Sequence, residues 1–120
     1  MNIQTSELRG DALNYVVALL LYGKANVNVN PTVKRKGVWV HGGDGQWRHY
    51  FPETNWLQAG KIVESYVCTL IKRDNEWQAE VFGNDRFCYS IKATNPRWAA
   101  LRTFVASRLG PTVSVPEELV

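Results

Sequence analysis

The chain has 120 residues, of which 45% are apolar and 21% charged, and its net charge is +3. These values are typical of one globular domain and exclude global disorder and a fibrous repeat. Apart from the run Lys34, Arg35 and Lys36, the basic residues are scattered. A dedicated duplex-binding protein concentrates its basic residues on one face, so nucleic acid is not favoured as a partner.

The apolar residues also argue against a membrane protein. The longest apolar run extends from Tyr15 to Tyr22, and a membrane span needs roughly 20 residues. Polar and charged residues precede this run, which is the wrong order for a secretory signal. We therefore expect a soluble, cytoplasmic protein.

The amino-terminal part predicts one helix. Thr5 or Ser6 can cap it with a side-chain oxygen, and Gly23 is suited to end it. The apolar stripe that starts at Leu8 covers more than one face, so we expect the helix to be buried on two sides. Gly10 is expected to allow the close approach of another backbone.

Residues 24–50 predict either a hairpin or a long binding loop. In the hairpin, residues 38–40 pair with residues 47–50 across the connection 41–46, which contains an Asp-Gly step. The glycine cluster in that connection lacks the motif of a phosphate-binding loop. A hairpin tip is therefore the favoured interpretation.

The second half of the chain has the clearest patterns. Thr54 is expected to cap a second helix that ends near Tyr66. Three strands follow at residues 67–72, 77–82 and 87–93, and their short connections predict an antiparallel meander. Apolar and polar residues alternate in the middle strand, which indicates a sheet with one solvent-exposed face.

A third helix is predicted from the Asn95-Pro96 step, which combines a preferred cap with a preferred first helical residue. Its apolar face includes Leu101, Val105 and Leu109, and Gly110 is suited to end it. Residues 110–120 form an extended tail that adds a strand or wraps a partner subunit. The whole chain is thus predicted to be a single α+β domain, a three-stranded antiparallel meander packed with about three helices, with a hairpin or long loop at 24–50.

Few residues point to metal or catalytic chemistry. Cys68 and Cys88 lie in predicted strands without metal-ligand spacing, and we expect buried free thiols. His41 and His49 belong to no metal-binding or catalytic motif. The sequence therefore predicts no catalytic residues, no metal and no cofactor.

A short segment that combines aromatic, basic and polar residues precedes and begins the second helix. Aromatic faces stack on bases, and a helix amino terminus with a nearby arginine attracts phosphate. Arg102, in the third helix, can point its guanidinium toward this segment or cover apolar neighbours on the surface. The alternative is that Tyr50 and Trp56 are core anchors and the polar residues are caps. The predicted ligand-binding residues are Trp47, Arg48, Tyr50, Thr54, Asn55, Trp56 and Arg102.

Several blocks of the sequence resemble the NinX family of small accessory proteins from tailed bacteriophages. The blocks are residues 5–10, 12–13, 17–18, 37–40, 54–56, 59–60, 62–64, 99–102, 105–110 and 113–119, with Tyr50. The pattern is also similar to a phage α-β-α sandwich domain, which implies helices on a small antiparallel sheet. One departure is that Asn55 stands where the related pattern has an aspartate.

The resemblance implies a phage protein acting in the host-cell cytoplasm. Together with the aromatic and basic segment, it suggests a non-enzymatic, counter-defence protein that sequesters a small anionic, nucleotide-like signal. The alternative is a protein-binding inhibitor of a host defence or recombination complex, with Trp39 and Trp47 as exposed anchors. The wide apolar stripe of the first helix and the valine-bearing tail predict a homo-oligomer, most simply a dimer.

Overall fold

The computed structural model describes residues 1–29 and 37–120. Within these residues the helices are α1 (Gly10–Tyr22), α2 (Trp56–Tyr66) and α3 (Pro96–Leu109). The strands are β1 (Asn2–Gln4), β2 (Val27–Val29), β3 (Val38–His41), β4 (Trp47–His49), β5 (Val67–Arg73), β6 (Glu76–Phe82), β7 (Cys88–Ala93) and β8 (Thr112–Ser114). The basic run Lys34, Arg35 and Lys36 lies outside the described residues.

The strands form three antiparallel sheets in the described part of the chain. β5, β6 and β7 form the predicted meander, and β2, β3 and β4 form a second three-stranded sheet. β1 pairs with β8 in a short two-stranded sheet. The α+β class and the meander are thus confirmed.

Helix α1 begins later than expected, and its cap is different. Thr5 is buried in a short 3-10 turn, where its hydroxyl donates to the carbonyl of Gly110 at 2.7 Å. The prediction that Thr5 or Ser6 caps the helix was therefore wrong, because a distant backbone group binds the hydroxyl of Thr5. Gly10 has no close backbone neighbour, and its φ of +60° explains the glycine instead.

The expected two-sided burial of α1 is confirmed. Five apolar residues on different sides of the helix are buried, namely Ala12, Leu13, Val16, Val17 and Ala18. They pack in one core with Val38 of β3 and Leu101, Phe104 and Val105 of α3. The helix ends at Gly23, as predicted, with the Gly23 N–H bonded to the carbonyl of Leu19 at 3.1 Å.

The predicted hairpin is present as β3 and β4. Trp39 pairs with His49, and His41 pairs with Trp47. The rings of Trp39 and His49 stack at 5.1 Å, and Trp39 is only 9% exposed, so its predicted role as an exposed anchor was wrong. Trp47 is 40% exposed.

Helix α2 ends at Tyr66 as predicted, but Asn55 caps it rather than Thr54. The Asn55 side chain accepts from the backbone N–H of Gln58 at 3.1 Å. Thr54 is one residue too early to do so and is exposed. The cap prediction was off by one residue because both residue types are good caps.

The meander packs one face against α3. This face buries Ala79 and Val81 of β6, as the alternation in that strand predicts, and Ala93 of β7, which pairs with Trp77. Cys88 alternates to the other face, where its sulfur lies 3.7 Å from a carboxylate oxygen of Glu80. Cys68 is also exposed, at an irregularity in the β5–β6 pairing, so the prediction of buried thiols was wrong.

Helix α3 matches its sequence pattern most closely. The Asn95 side chain accepts from the Trp98 N–H at 2.8 Å, and Gly110 ends the helix with a φ of +86°. Leu101 and Val105 are buried, whereas Leu109 is 48% exposed because the last helical residue extends beyond the core. In the described part of the chain, no helix is long and apolar enough to cross a membrane.

The carboxyl-terminal tail adds a strand to its own chain. Val113 of β8 pairs with Ile3 of β1, and Val113 and Val115 are buried. Val113, Val115 and the buried apolar residues of α1 are therefore covered within one chain, whereas Val120 is 65% exposed. The dimer stays a prediction that light scattering can test.

Candidate functional site

A cleft of about 1100 Å³ lies between the amino-terminal segment and α3. It is lined by residues 2–4 and 6–10, by Glu53 ahead of α2, and by Trp98 and Arg102 on α3. We call it the Arg102 cleft. Its volume is slightly above the range of about 300–1,000 Å³ that is usual for small-molecule sites.

Arg102 is a charged residue in the most buried stretch of α3. It is 8% exposed, its Nε donates to the carbonyl of Leu8 at 2.6 Å, and its guanidinium lies 4.7 Å from the centroid of the Trp98 ring. Its two Nη nitrogens make no hydrogen bond to any described residue. Arg102 thus places unused donors in the cleft that it lines.

The electrostatic surroundings of Arg102 are mixed. Burial and then Arg9 lower the pKa of the guanidinium, whereas Glu53 and Glu7 raise it. An arginine keeps its charge at neutral pH despite such a shift. The cleft therefore holds a buried permanent cation.

Glu53 connects three parts of the fold. Its Oε1 accepts from the N–H of Gly10 at 3.2 Å and from Nε1 of Trp98 at 2.9 Å. Its backbone N–H donates to Oδ1 of Asn14 at 3.0 Å, and its backbone carbonyl accepts from Nε of Arg97 at 3.0 Å. Because Arg9 provides no side-chain cap, the Glu53 carboxylate satisfies an N–H at the start of α1 from 43 residues away in the chain.

Trp98 links the cation and the carboxylate. Its face contacts Arg102 and its ring N–H binds Glu53. No ion pair joins Arg102 to Glu53 in the part of the chain that the structure describes. Oε2 of Glu53 likewise makes no hydrogen bond to a described residue, so a donor and an acceptor are both unused in one cleft.

The residues predicted from the sequence lie in different places, and Arg102 is the only one of the seven that lines the cleft. Arg48 and Tyr50 line a smaller cavity of about 320 Å³, together with Lys61. Arg48 forms an exposed ion pair with Asp44. Trp47 is exposed on β4, and its ring centroid lies 5.3 Å from that of His41.

Three other predicted site residues, Tyr50, Asn55 and Trp56, have contacts within the fold. Tyr50 is 4% exposed and packs edge-on against Tyr22 at 5.5 Å, and burial, then Tyr22, raises the pKa of its phenol. Asn55 is the α2 cap described above. Trp56 is 45% exposed, with the guanidinium of Arg97 5.3 Å from its ring centroid.

Sequence reasoning did not assign Glu53 and Trp98 to a site. Trp98 and Arg102 are four residues apart on a helix, a spacing that brings side chains into contact, and this signal was available. The bonds of Glu53 to Gly10 and Trp98 span more than 40 residues. No local pattern indicates such contacts.

Metal binding finds no support in the described residues, which contain no group of three or more potential His, Cys, Asp or Glu ligands. His41 and Asp44 instead organise the hairpin tip. His41 Nδ1 accepts from the N–H of Gly43 at 3.3 Å, and a carboxylate oxygen of Asp44 accepts from the N–H of Gln46 at 3.1 Å.

Comparison with known proteins identifies the family. No curated protein matches the chain. The sequence profile of the family described as Bacteriophage P22, NinX matches residues 4–108. This range contains α1, Glu53 and nearly all of α3, and hence most of the cleft. The chain therefore belongs to the NinX family of bacteriophage proteins.

Proposed function

We propose that this phage accessory protein is a non-enzymatic binding protein that sequesters a small anionic, nucleotide-like ligand in the Arg102 cleft. The observation that carries the proposal is Arg102, a residue only 8% exposed whose Nη nitrogens make no hydrogen bond to a described residue and are open to the cleft. Burying a charge is costly unless it is paired. A bound anion would provide the missing partner.

The geometry of Arg102 suits phosphate or carboxylate. The bond from Nε to Leu8 and the contact with Trp98 hold the guanidinium in one orientation. A fixed guanidinium offers two parallel N–H donors to an anion, and little side-chain entropy remains to be lost on binding. This arrangement supports recognition of a specific anion rather than loose attraction.

Arg9, the residue before α1, adds to the attraction. It lines the cleft, whereas the N–H of Gly10 at the start of the helix is already bonded to Glu53. Arg9 is exposed. In a phage protein, sequestering a nucleotide-like signal would oppose a host defence that depends on that signal.

Isothermal titration against nucleoside phosphates, cyclic nucleotides and ADP-ribose tests the proposal. Arg102→Lys keeps the charge but loses the paired donors, so we expect binding to weaken by about tenfold or more. Arg48→Lys is the matched control, because Arg48 is exposed and lines the other cavity. We expect this control to bind like the wild type.

Two results would overturn the proposal. One is the absence of both heat and a thermal shift with every ligand in the panel. The other is a loss of binding in Arg48→Lys while Arg102→Lys binds normally, which would move the site to the smaller cavity. Circular dichroism of both variants checks that they are folded.

A protein-binding inhibitor of a host defence or recombination complex is the second candidate function. It is favoured by exposed apolar side chains, since Phe82 is 56% and Phe87 71% exposed. The two residues flank the β6–β7 connection, where the Gly83 N–H bonds to the Phe87 carbonyl at 2.9 Å. A stoichiometric host partner that is captured by the wild type and lost with Phe87→Ser would support this function.

A further inference from the structure

We infer that Glu53 makes the Arg102 cleft selective for ribonucleoside phosphates, by accepting hydrogen bonds from the ribose hydroxyls while Arg102 holds the phosphate. The inference rests on the proposed function and specifies its ligand class. It starts from Oε2 of Glu53, a carboxylate oxygen without a hydrogen bond to any described residue in the cleft that Arg102 also lines.

The carboxylate of Glu53 is held firmly by its other oxygen. Oε1 accepts from both Gly10 N–H and Trp98 Nε1. An ionised carboxylate accepts hydrogen bonds and cannot donate them. The ligand atom beside Oε2 must therefore be a donor, and a second anionic group is disfavoured there.

Trp98 contacts both the guanidinium of Arg102 and the carboxylate of Glu53, so it limits the distance between these two groups. Arg102 lies 4.7 Å from the ring centroid, and Glu53 lies 2.9 Å from the ring nitrogen. A ligand that binds both must carry its anion and its donor close together. In a ribonucleoside 5′-phosphate the phosphate and the hydroxyls are separated by one sugar ring, whereas the polar edge of the base lies farther away.

The same division of roles is known from nucleotide sites of other folds. There a phosphate binds at a helix amino terminus and an acidic side chain accepts from a ribose hydroxyl. Here α1 begins at Gly10, and Glu53 binds the N–H of that residue. The carboxylate thus occupies this helix terminus, and the guanidinium of Arg102 is left to bind the phosphate.

The experiment compares ligands that differ in the sugar alone. Adenosine and guanosine diphosphates are titrated beside their 2′-deoxy and 2′,3′-dideoxy counterparts. Hydrogen bonds to a charged acceptor are stronger than neutral ones, so we expect wild type to prefer the ribose over the dideoxyribose form by about tenfold or more. This part of the experiment requires no variant.

Glu53→Gln then tests whether the preference comes from this residue. Glutamine keeps an acceptor oxygen for Gly10 and Trp98 but replaces the free carboxylate oxygen with an uncharged amide group. We expect the ribose preference to fall to a few-fold or less. Glu7→Gln is the matched control, because it removes a negative charge from the same cleft and is expected to leave the ribose preference unchanged.

The outcomes separate the two proposals. If ribose and dideoxyribose forms bind wild type equally, or if Glu53→Gln keeps the full preference, the inference about Glu53 is wrong while anion binding stands. If no nucleotide binds wild type, the inference fails together with the proposed function. A preference that is lost in Glu53→Gln and kept in Glu7→Gln supports the inference.

Discussion

Replacing Asn14 with leucine is expected to destabilise the protein and to loosen the segment that carries Glu53. Asn14 is 2% exposed on α1, amid the apolar residues of that helix. Its Oδ1 accepts from the Glu53 N–H at 3.0 Å, and its Nδ2 donates to Oδ1 of Asp11 at 3.3 Å. Leucine has a similar size but can make neither bond.

The size of the stability loss follows from the backbone N–H of Glu53, which loses its acceptor. The Glu53 N–H cannot be removed by the substitution, so it is left without an acceptor in a partly buried position. Such a loss costs about 1–3 kcal/mol, although the buried leucine offsets part of it. For a domain of this size, each kcal/mol lowers the melting temperature by roughly 4 °C.

Asn14→Asp separates the two bonds. It keeps an acceptor for Glu53 but places a second carboxylate beside Asp11, which raises the pKa of the pair. When the pKa of a carboxyl is higher in the folded state than in the unfolded state, its contribution to stability is complete at a pH below the unfolded pKa. That contribution is lost as pH rises through the folded pKa. We therefore expect Asn14→Asp to be close to wild type near pH 4 and less stable at pH 7.

Urea denaturation at both pH values measures these differences, and adding Asp11→Asn to Asn14→Asp is the matched control. The double variant exchanges donor and acceptor, so it should recover most of the stability lost at pH 7. Hydrogen exchange at the Glu53 amide should quicken in Asn14→Leu. An unchanged unfolding midpoint in Asn14→Leu, or no recovery in the double variant, would refute the reasoning.

Three further predictions concern other parts of the fold. Burial raises the pKa of Tyr50. The contribution of Tyr50 to stability is therefore complete below the ordinary tyrosine pKa of about 10 and is lost as pH rises above that value. In denaturant titrations, Tyr50→Phe should lose less stability at alkaline pH than the wild type. Asn95→Ala removes the α3 cap on Trp98 and should cost about 1 kcal/mol, whereas Asn95→Ser should cost less in the same assay. Thr103→Val leaves the Ile91 N–H without the hydroxyl that it binds at 3.1 Å and should cost about 1–3 kcal/mol, with faster amide exchange at Ile91.

The elements that could be predicted from the sequence are those whose signals are local. The cap at Asn95, the stop at Gly110 and the alternation in β6 act within a few residues, and the structure has all three. In one place, local signals favoured two neighbouring residues almost equally as the helix cap. Thr54 and Asn55 are both good caps, and only the backbone path into α2 decides between them.

The wrong predictions share a different cause. The hydroxyl of Thr5 binds Gly110, which is 105 residues away, and the ring of Trp39 is covered by that of a residue on the neighbouring strand. Cys88 is exposed because of its register in β7, where Ile91 pairs with Ala79. Pairing register and long-range contacts are set by the assembled fold, so residue type alone did not reveal them.

The sequence predicted only part of the candidate site, because long-range contacts also build this site. Arg102 was predicted because its guanidinium, on the third helix, can point toward the aromatic and basic segment around Trp47. That segment is a local signal, but its residues Arg48 and Tyr50 line a different cavity from the one that Arg102 lines. Glu53 acquires its position only through α1 and Trp98.

A substitution of Arg102 by methionine distinguishes a binding residue from a structural one. Methionine fills similar space against Trp98 and relieves the cost of burying a charge, but it leaves the buried carbonyl of Leu8 without its donor. The carbonyl left without its donor costs about 1–3 kcal/mol, and removing the buried charge offsets part of that cost. We therefore expect the unfolding free energy to fall by at most about 3 kcal/mol, together with a loss of nucleotide binding. If Arg102 were mainly structural, the variant would lose more than this in urea denaturation while nucleotide binding per folded molecule stayed unchanged. Stability that stays within this range while binding is lost would indicate that this buried charge is retained for its ligand.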